Sequence, residues 1–255
     1  MLQDNVLAYR GRAKKNKVSR VFVVLLISFI ALALFAYYLA SPLALVDKVE
    51  VTGNSYLQPA DIQQLVGLEP GMNMWRLHLG ASRDKLSANP WVLEARIRRK
   101  FPNSILISLE ERIGVAVVMS ANGNWIVAED KVVLAENDGF SLPWVTGLEL
   151  GALTPGTIVE GQTVDLALAW ANAFQPIAWQ ISEINFDSYP VVITVFTTDG
   201  YKVLFDSFTA PGDKIQDFAV LLEELRRSGQ KGIIDFRGLQ GRGIFIPWPE
   251  NSAEE

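Results

Sequence analysis

Few residues in this 255-residue chain are of a kind that does covalent chemistry, and their spacing suits it poorly. His78 is the one histidine, and there is no cysteine. A Ser-His-Asp relay would have to use His78, and so would any zinc site with imidazole or thiolate ligands. It lies between Leu77 and Leu79, in a stretch that reads as part of a small fold. Calcium sites built from carboxylates remain formally open. Glu110 and Glu111 are neighbours in a strand-like stretch, so they point to opposite faces and suit neither an acid/base pair nor a shared proton. Glu223 and Glu224 fall on the outer side of an amphipathic helix, and both pairs read as solvated charge. Residues 238–243 (GLQGRG) imitate a phosphate loop but lead into Ile244, Phe245 and Ile246, a strand signal. A dinucleotide loop needs a following helix whose amides meet the phosphate. No catalytic, cofactor-binding or metal-binding residue is therefore assigned, and the chain is expected to be a non-enzyme without cofactor.

Two clusters point to binding. Arg96, Arg98, Arg99 and Lys100 form a basic strand end, with Arg96 and Arg98 on the face opposite Leu93 and Ile97. The glycines of residues 238–243 sit beside a terminal strand, where a missing side chain lets another backbone approach closely.

The strongest element is residues 21–40 (VFVVLLISFIALALFAYYLA), which carry no charge. Twenty helical residues at ~1.5 Å each span ~30 Å, the thickness of a bilayer's hydrocarbon core. Arg10, Arg12, Lys14, Lys15, Lys17 and Arg20 precede or open this stretch, so the positive-inside bias keeps the N-terminus cytoplasmic and sends the rest across. A cleaved leader would want a shorter apolar core and a small residue where Tyr38 stands. Tyr37 and Tyr38 suit the interfacial belt, and Pro42 stops the helix. Beyond residue 20 the chain holds 17 basic and 27 acidic groups, an acidic balance that makes a poor nucleic-acid binder. Without cysteine, the outer region must hold by packing alone.

After the anchor, residues 46–52 alternate as a strand, Pro59 opens a helix lined by Ile62, Leu65 and Val66, and residues 83–88 suggest a second short helix. Residues 92–100 and 104–111 read as a hairpin around Phe101-Pro102-Asn103. Strand, two helices, two strands describe a small domain with helices on one face of a three-stranded sheet. The second half is mostly strand signal: residues 114–119, 125–128, 131–134, 181–186, 191–197, 201–205, 232–237 and 242–246. Residues 142–147 and 151–161 read as irregular connections. Helices are expected at 165–174 and, most clearly, at 213–228, where Ile215, Phe218, Ala219, Leu222 and Leu225 make one stripe.

Residues 46–54 (VDKVEVTGN), 89–112 (NPWVLEARIRRKFPNSILISLEER) and 212–237 (GDKIQDFAVLLEELRRSGQKGIIDFR) resemble the FtsQ/DivIB family of bacterial cell-division proteins. The resemblance implies an α+β organisation: a cytoplasmic basic tail (1–20), a transmembrane helix (21–40), a POTRA-type βααββ domain (45–113), a mostly antiparallel β domain with two helices (114–247) and a C-terminal tail (248–255). It departs from the family where Ile113-Gly114 replaces a frequent proline, and where Asp130-Lys131-Val132 lacks a frequent glycine. Both departures fall at the entry to the β domain.

The resemblance further implies a bitopic scaffold of the divisome in the inner membrane, at the septum, coupling partners to septal cell-wall synthesis. FtsB/DivIC-like and FtsL-like proteins are the implied partners, with β-strand addition at Asp235, Phe236, Arg237, Gly238, Gln240, Gly241, Arg242, Gly243, Ile244, Phe245 and Ile246. Asp235 and Arg237, two apart on one sheet face, are expected to bracket an incoming charge. Arg96, Arg98 and Arg99 would recruit other division proteins through the POTRA edge. Two further classes stay open: a membrane-tethered envelope enzyme or transport accessory, which needs a cleft of convergent carboxylates, and an outer-membrane assembly component, which needs tandem POTRA units or a barrel.

Overall fold

A computed structural model describes residues 19–207, 211–238 and 243–249. Helix α1 (Arg20–Ala40) is exposed through almost all of its length and is long and apolar enough to cross a membrane. A single 3-10 turn, Pro42–Ala44, follows. The chain is then stapled to the next unit by backbone bonds: Val46 N–H to Met72 O (2.8 Å), Gly71 N–H to Val46 O (2.7 Å) and Met74 N–H to Ala44 O (2.9 Å).

That unit comprises β1 (Lys48–Thr52), α2 (Pro59–Val66), α3 (Leu79–Ser87), β2 (Val92–Lys100) and β3 (Ser104–Glu111). Its sheet runs β1-β3-β2, with β1 parallel and β2 antiparallel to β3. Alternation sends Ile105, Ile107 and Leu109 inward against Ile62, Val66 and Leu86 of the helices. Helix α3 begins at Leu79, before the stretch that patterning marks, because Gly80 and Ser82 hide its first turn. Glu111 departs from the solvated-charge reading. Its carboxylate accepts the Ser55, Tyr56 and Leu57 N–H groups at 2.9, 2.6 and 2.9 Å and so orders the loop before α2.

The second unit is built from β4 (Gly114–Ser120), β5 (Gly123–Ala128), β6 (Val133–Glu136), β7 (Trp144–Thr146), α4 (Gln162–Ala173), β8 (Ile181–Asn185), β9 (Val192–Thr197), β10 (Lys202–Asp206), α5 (Pro211–Ser228), β11 (Gly232–Asp235) and β12 (Ile244–Pro247). Among the described residues these form one nine-stranded sheet ordered β12-β11-β10-β9-β8-β7-β4-β5-β6. Antiparallel pairings predominate, with parallel ones at β4/β7, β7/β8 and β10/β11. Strand β7 overturns the reading of residues 142–147 as an irregular connection. It sits mid-sheet, yet three residues are too few to show a period of two. Helices α4 and α5 cover one face, and Trp170, Phe174, Phe205, Phe218 and Phe236 fill the space between. The fold is thus the α+β arrangement expected: an apolar helix, a βααββ unit and a strand-rich unit with two main helices.

At the junction of the two units the Arg112 guanidinium donates to Asp130 (2.7 Å) and to the Pro90 and Val92 carbonyls (2.9 and 2.7 Å). Lys131 makes the turn beside it at φ +69°, a left-handed conformation costing a lysine roughly 1–2 kcal/mol.

Candidate partner-binding edge

Among the described residues the last strand of the larger sheet, β12, is paired on one side only. Its register with β11 sets Asp235 against Ile244, Ile234 against Phe245, Ile233 against Ile246 and Gly232 against Pro247. The Trp248 N–H continues the pairing to Lys231 O (2.9 Å). Bonding alternates along an antiparallel pair, so Ile244 and Ile246 also turn their backbone groups toward β11. The Phe245 N–H and C=O and the Pro247 C=O are left on the outer edge. Proline has no N–H to waste there, which is where an edge strand tolerates it.

Side chains follow the same alternation. Phe245 packs inward against the core, whereas Ile244, Ile246 and Trp248 share the other face and are 64, 48 and 40 % exposed. An open ladder beside three exposed apolar side chains is what an extended partner segment needs. Trp248 escaped the sequence reading, which ended the fold at residue 247. Its signal was the continued alternation Ile244, Ile246, Trp248.

The other expected site residues distribute unevenly. Phe236 is buried in the core, stacked on Phe205 at 5.3 Å, and forms the floor of the edge rather than its surface. Asp235 and Arg237 do not bracket an empty space, because they bond each other: Arg237 Nε and Nη2 donate to the carboxylate at 2.9 and 2.6 Å. That pairing holds the Asp235 carboxyl below its ordinary value and the Arg237 guanidinium above its own. Gly238 lies just past this pair, and Gln240, Gly241 and Arg242 fall outside the described residues. Gly243 is needed by its own chain: a Cβ there would meet Leu221 Cδ2 and Phe236 Cζ at 2.8 Å. At Gly232 a Cβ would stand 2.2 Å from Ile246 O, so β11 and β12 approach only because that residue is glycine.

Lys214 in α5 also escaped the sequence reading, which treated the helix by its apolar stripe. It is buried, and its ammonium donates to Asp206 Oδ2 (2.5 Å) and to Phe236 O (2.7 Å). It thereby fixes the end of β11 where the chain leaves for the edge. Farther along α5, Arg226 bonds Asp199 (2.6 Å) and Gln180 (2.6 Å), tying the β9–β10 turn to the helix. Burial pulls the Asp199 carboxyl up, but the hydrogen bonds from Arg226 and Thr197 outweigh it and hold the group below its ordinary value.

The three arginines of the smaller unit are likewise split. Arg96 pairs with Glu94 (2.6 Å) on the open face of β2, and Arg98 has no ion pair or side-chain hydrogen bond among the described residues. Arg99 points to the opposite face, where it donates to the Met74 and Leu77 carbonyls at 3.0 Å each. Lys100 bonds Glu50 (2.7 Å), which Lys48 also meets; hydrogen bonds from Lys100 and Lys48 hold the Glu50 carboxyl below its ordinary value. His78 is exposed at the start of α3. Among the described residues no group of three or more His, Asp or Glu is placed to hold a metal ion.

Comparison with known proteins adds an independent measure. Residues 45–112 match the family model described as "POTRA domain, FtsQ-type". The cell division protein DivIB of Geobacillus kaustophilus is 25% identical over 257 residues, covering 100% of this chain and 95% of that one. The DivIB of Listeria monocytogenes is 24% identical, with 99% and 91% covered. The cell division protein FtsQ of Syntrophotalea carbinolica is 30% identical over 143 residues, covering 54% of this chain and 51% of that protein.

Proposed function

Because the chain belongs to the FtsQ/DivIB family of cell-division proteins and carries an N-terminal apolar helix, we propose that it is a non-enzymatic bitopic scaffold of the divisome. In this reading the N-terminus is cytoplasmic, α1 spans the inner membrane once, and the two folded units stand outside it at the septum. The scaffold links an FtsB/DivIC-like partner, and through it an FtsL-like one, to septal cell-wall synthesis. The observation that carries the reading is the β12 edge, with its Phe245 and Pro247 backbone groups unpaired among the described residues and its Ile244, Ile246 and Trp248 exposed.

The partner's extended segment is expected to run beside β12 and complete the ladder. Arg96 and Arg98, on the open face of β2, supply the surface that brings other division proteins to the POTRA-type unit; Arg99 acts from within.

The test is co-purification of the full-length chain with the FtsB/DivIC-like protein of the same cell. Two buried isoleucines contribute roughly 1.5–3 kcal/mol each, so Ile244→Glu combined with Ile246→Glu should weaken the complex by about 100-fold or more. Wild-type affinity in the double variant would remove β12 as the binding edge. Filamentation on depletion is expected from the same reading, and normal septa would contradict it.

A further inference from the structure

The outer end of α1 is packed against the POTRA-type unit by an aromatic cluster. The Trp75 ring meets Phe35 edge-on at 5.8 Å and Tyr38 at 6.4 Å, and Phe101 lies 5.7 Å from Trp75 on the far side. The Tyr38 phenol donates to Pro102 O at 2.8 Å, and the Asn73 side-chain amide donates to Leu39 O at 3.3 Å. The Arg99 guanidinium sits 5.6 Å from the Trp75 ring while its donors hold the Met74 and Leu77 carbonyls.

Depth follows from these contacts. Phe35 precedes the helix end at Ala40 by five residues, so it lies ~8 Å inside that end at ~1.5 Å per residue. A helix of 21 residues is only just long enough for the hydrocarbon core, which places Phe35 within it and Trp75 beside it. The β2–β3 hairpin tip must then descend to the same level. Phe101, at that tip, is 63% exposed beside Trp75, which suits an aromatic at a bilayer interface. Arg76, next to Trp75 in the chain, is exposed with no side-chain partner among the described residues and suits the lipid phosphates.

We propose that Trp75 and Phe101 seat the POTRA-type unit in the lipid interface of the membrane that α1 spans, so that the unit is held to the bilayer as well as tethered to it. The occupant of this surface is the phospholipid bilayer itself, continuous with the lipid around Phe35. The proposal rests on reading α1 as a membrane span.

The absence of cysteine makes single-thiol labelling of the whole chain specific. Full-length Phe101→Cys, Ile113→Cys and Phe29→Cys variants are labelled with a polarity-sensitive fluorophore and reconstituted in phosphatidylethanolamine/phosphatidylglycerol vesicles. Lipids spin-labelled near the headgroup and deep in the chain serve as quenchers. Ile113 is a matched control: it is 72% exposed and follows the opposite end of β3. Shallow spin labels should quench at Phe101 several-fold more than at Ile113. Trp75→Glu in the Phe101→Cys background should bring that quenching down toward the control. Equal quenching at Phe101 and Ile113, with Phe29 quenched by deep labels, would overturn the seat alone. Quenching at Phe101 that Trp75→Glu leaves unchanged would overturn it too, since the fluorophore rather than the cluster would then be entering the lipid. No deep quenching at Phe29 would overturn the span reading and the seat with it.

Discussion

At the β6 end of the nine-stranded sheet the chain closes its own ladder, whereas at the β12 end it leaves the ladder open. Beside β6, the Val133 N–H donates to Thr157 O (2.9 Å), the Gly156 N–H to Val133 O (2.8 Å) and the Val159 N–H to Lys131 O (2.9 Å). The same end is covered on both faces. Trp125 and Val127 join the main core, while Ile126, Val132 and Leu134 pack with Trp91 and Phe140, and Trp91 stacks on both Phe140 and the Tyr56 ring of the POTRA-type unit. At β12 Phe245 is packed inward, and Ile244 and Ile246 face outward, 64 and 48% exposed among the described residues. One sheet therefore has an end finished internally and an end that is open among the described residues, where we place the partner. The free edge of β2 gives a third case, since Glu94, Arg96, Arg98 and Lys100 line one face there, and charge of that kind discourages strand addition. Strand β12 is only four residues long, but the apolar side chains beside its open edge support the binding role we propose.

If the open end is held by ionic ties beneath it, cutting those ties should cost most. Lys214→Ala removes two charge-assisted hydrogen bonds, to the Asp206 carboxylate and the Phe236 carbonyl, at about 1.5–3 kcal/mol each, and should destabilise the chain by roughly 3 kcal/mol or more, read as a lowered thermal midpoint in detergent. A variant that melts with the wild type would break the view that α5 anchors this end.

Next in size is Asp199, whose bonds to Arg226 and Thr197 join the β9–β10 turn to α5. Asp199→Asn should cost about 1–3 kcal/mol at neutral pH. The folded carboxyl titrates below its ordinary value of 3.8, so its contribution is complete above that pH and disappears as pH falls through the folded value. Wild type and variant should therefore converge in strongly acid solution, and a difference independent of pH would assign the loss to shape rather than charge.

Smallest is the effect of Ile244→Thr with Ile246→Thr on the chain alone. Exposed side chains of an edge strand should shift stability by no more than about 0.5 kcal/mol, measured by the same melt. A large loss would mean that the apolar face of β12 serves the fold itself.

These contrasts also mark what the sequence could disclose. Helices α1 and α5 were legible because twenty uncharged residues and a stripe through Ile215, Phe218, Leu222 and Leu225 are long, periodic signals. The strands β2 and β3 were legible through alternation. Strand β7 was not, because three residues carry no period, and its place is set by β4 and β8 on either side. Glu111, Lys214 and the Asp235–Arg237 pair look like surface charge in one dimension. Their partners lie in other segments, or depend on where a strand ends, and only the fold brings those together. The closing of the β6 edge by residues 156–159 belongs to the same class.

Residue-resolved amide exchange of the full-length chain, with and without the FtsB/DivIC-like partner, tests the two-ended sheet most directly. Without partner, the Val133 amide should be protected and the Phe245 amide should exchange freely, since one donates to Thr157 O and the other faces outward. Adding the partner should protect Phe245 and leave Val133 unchanged. A Phe245 amide that is protected in the free chain, or that still exchanges freely in the saturated complex, would contradict the account.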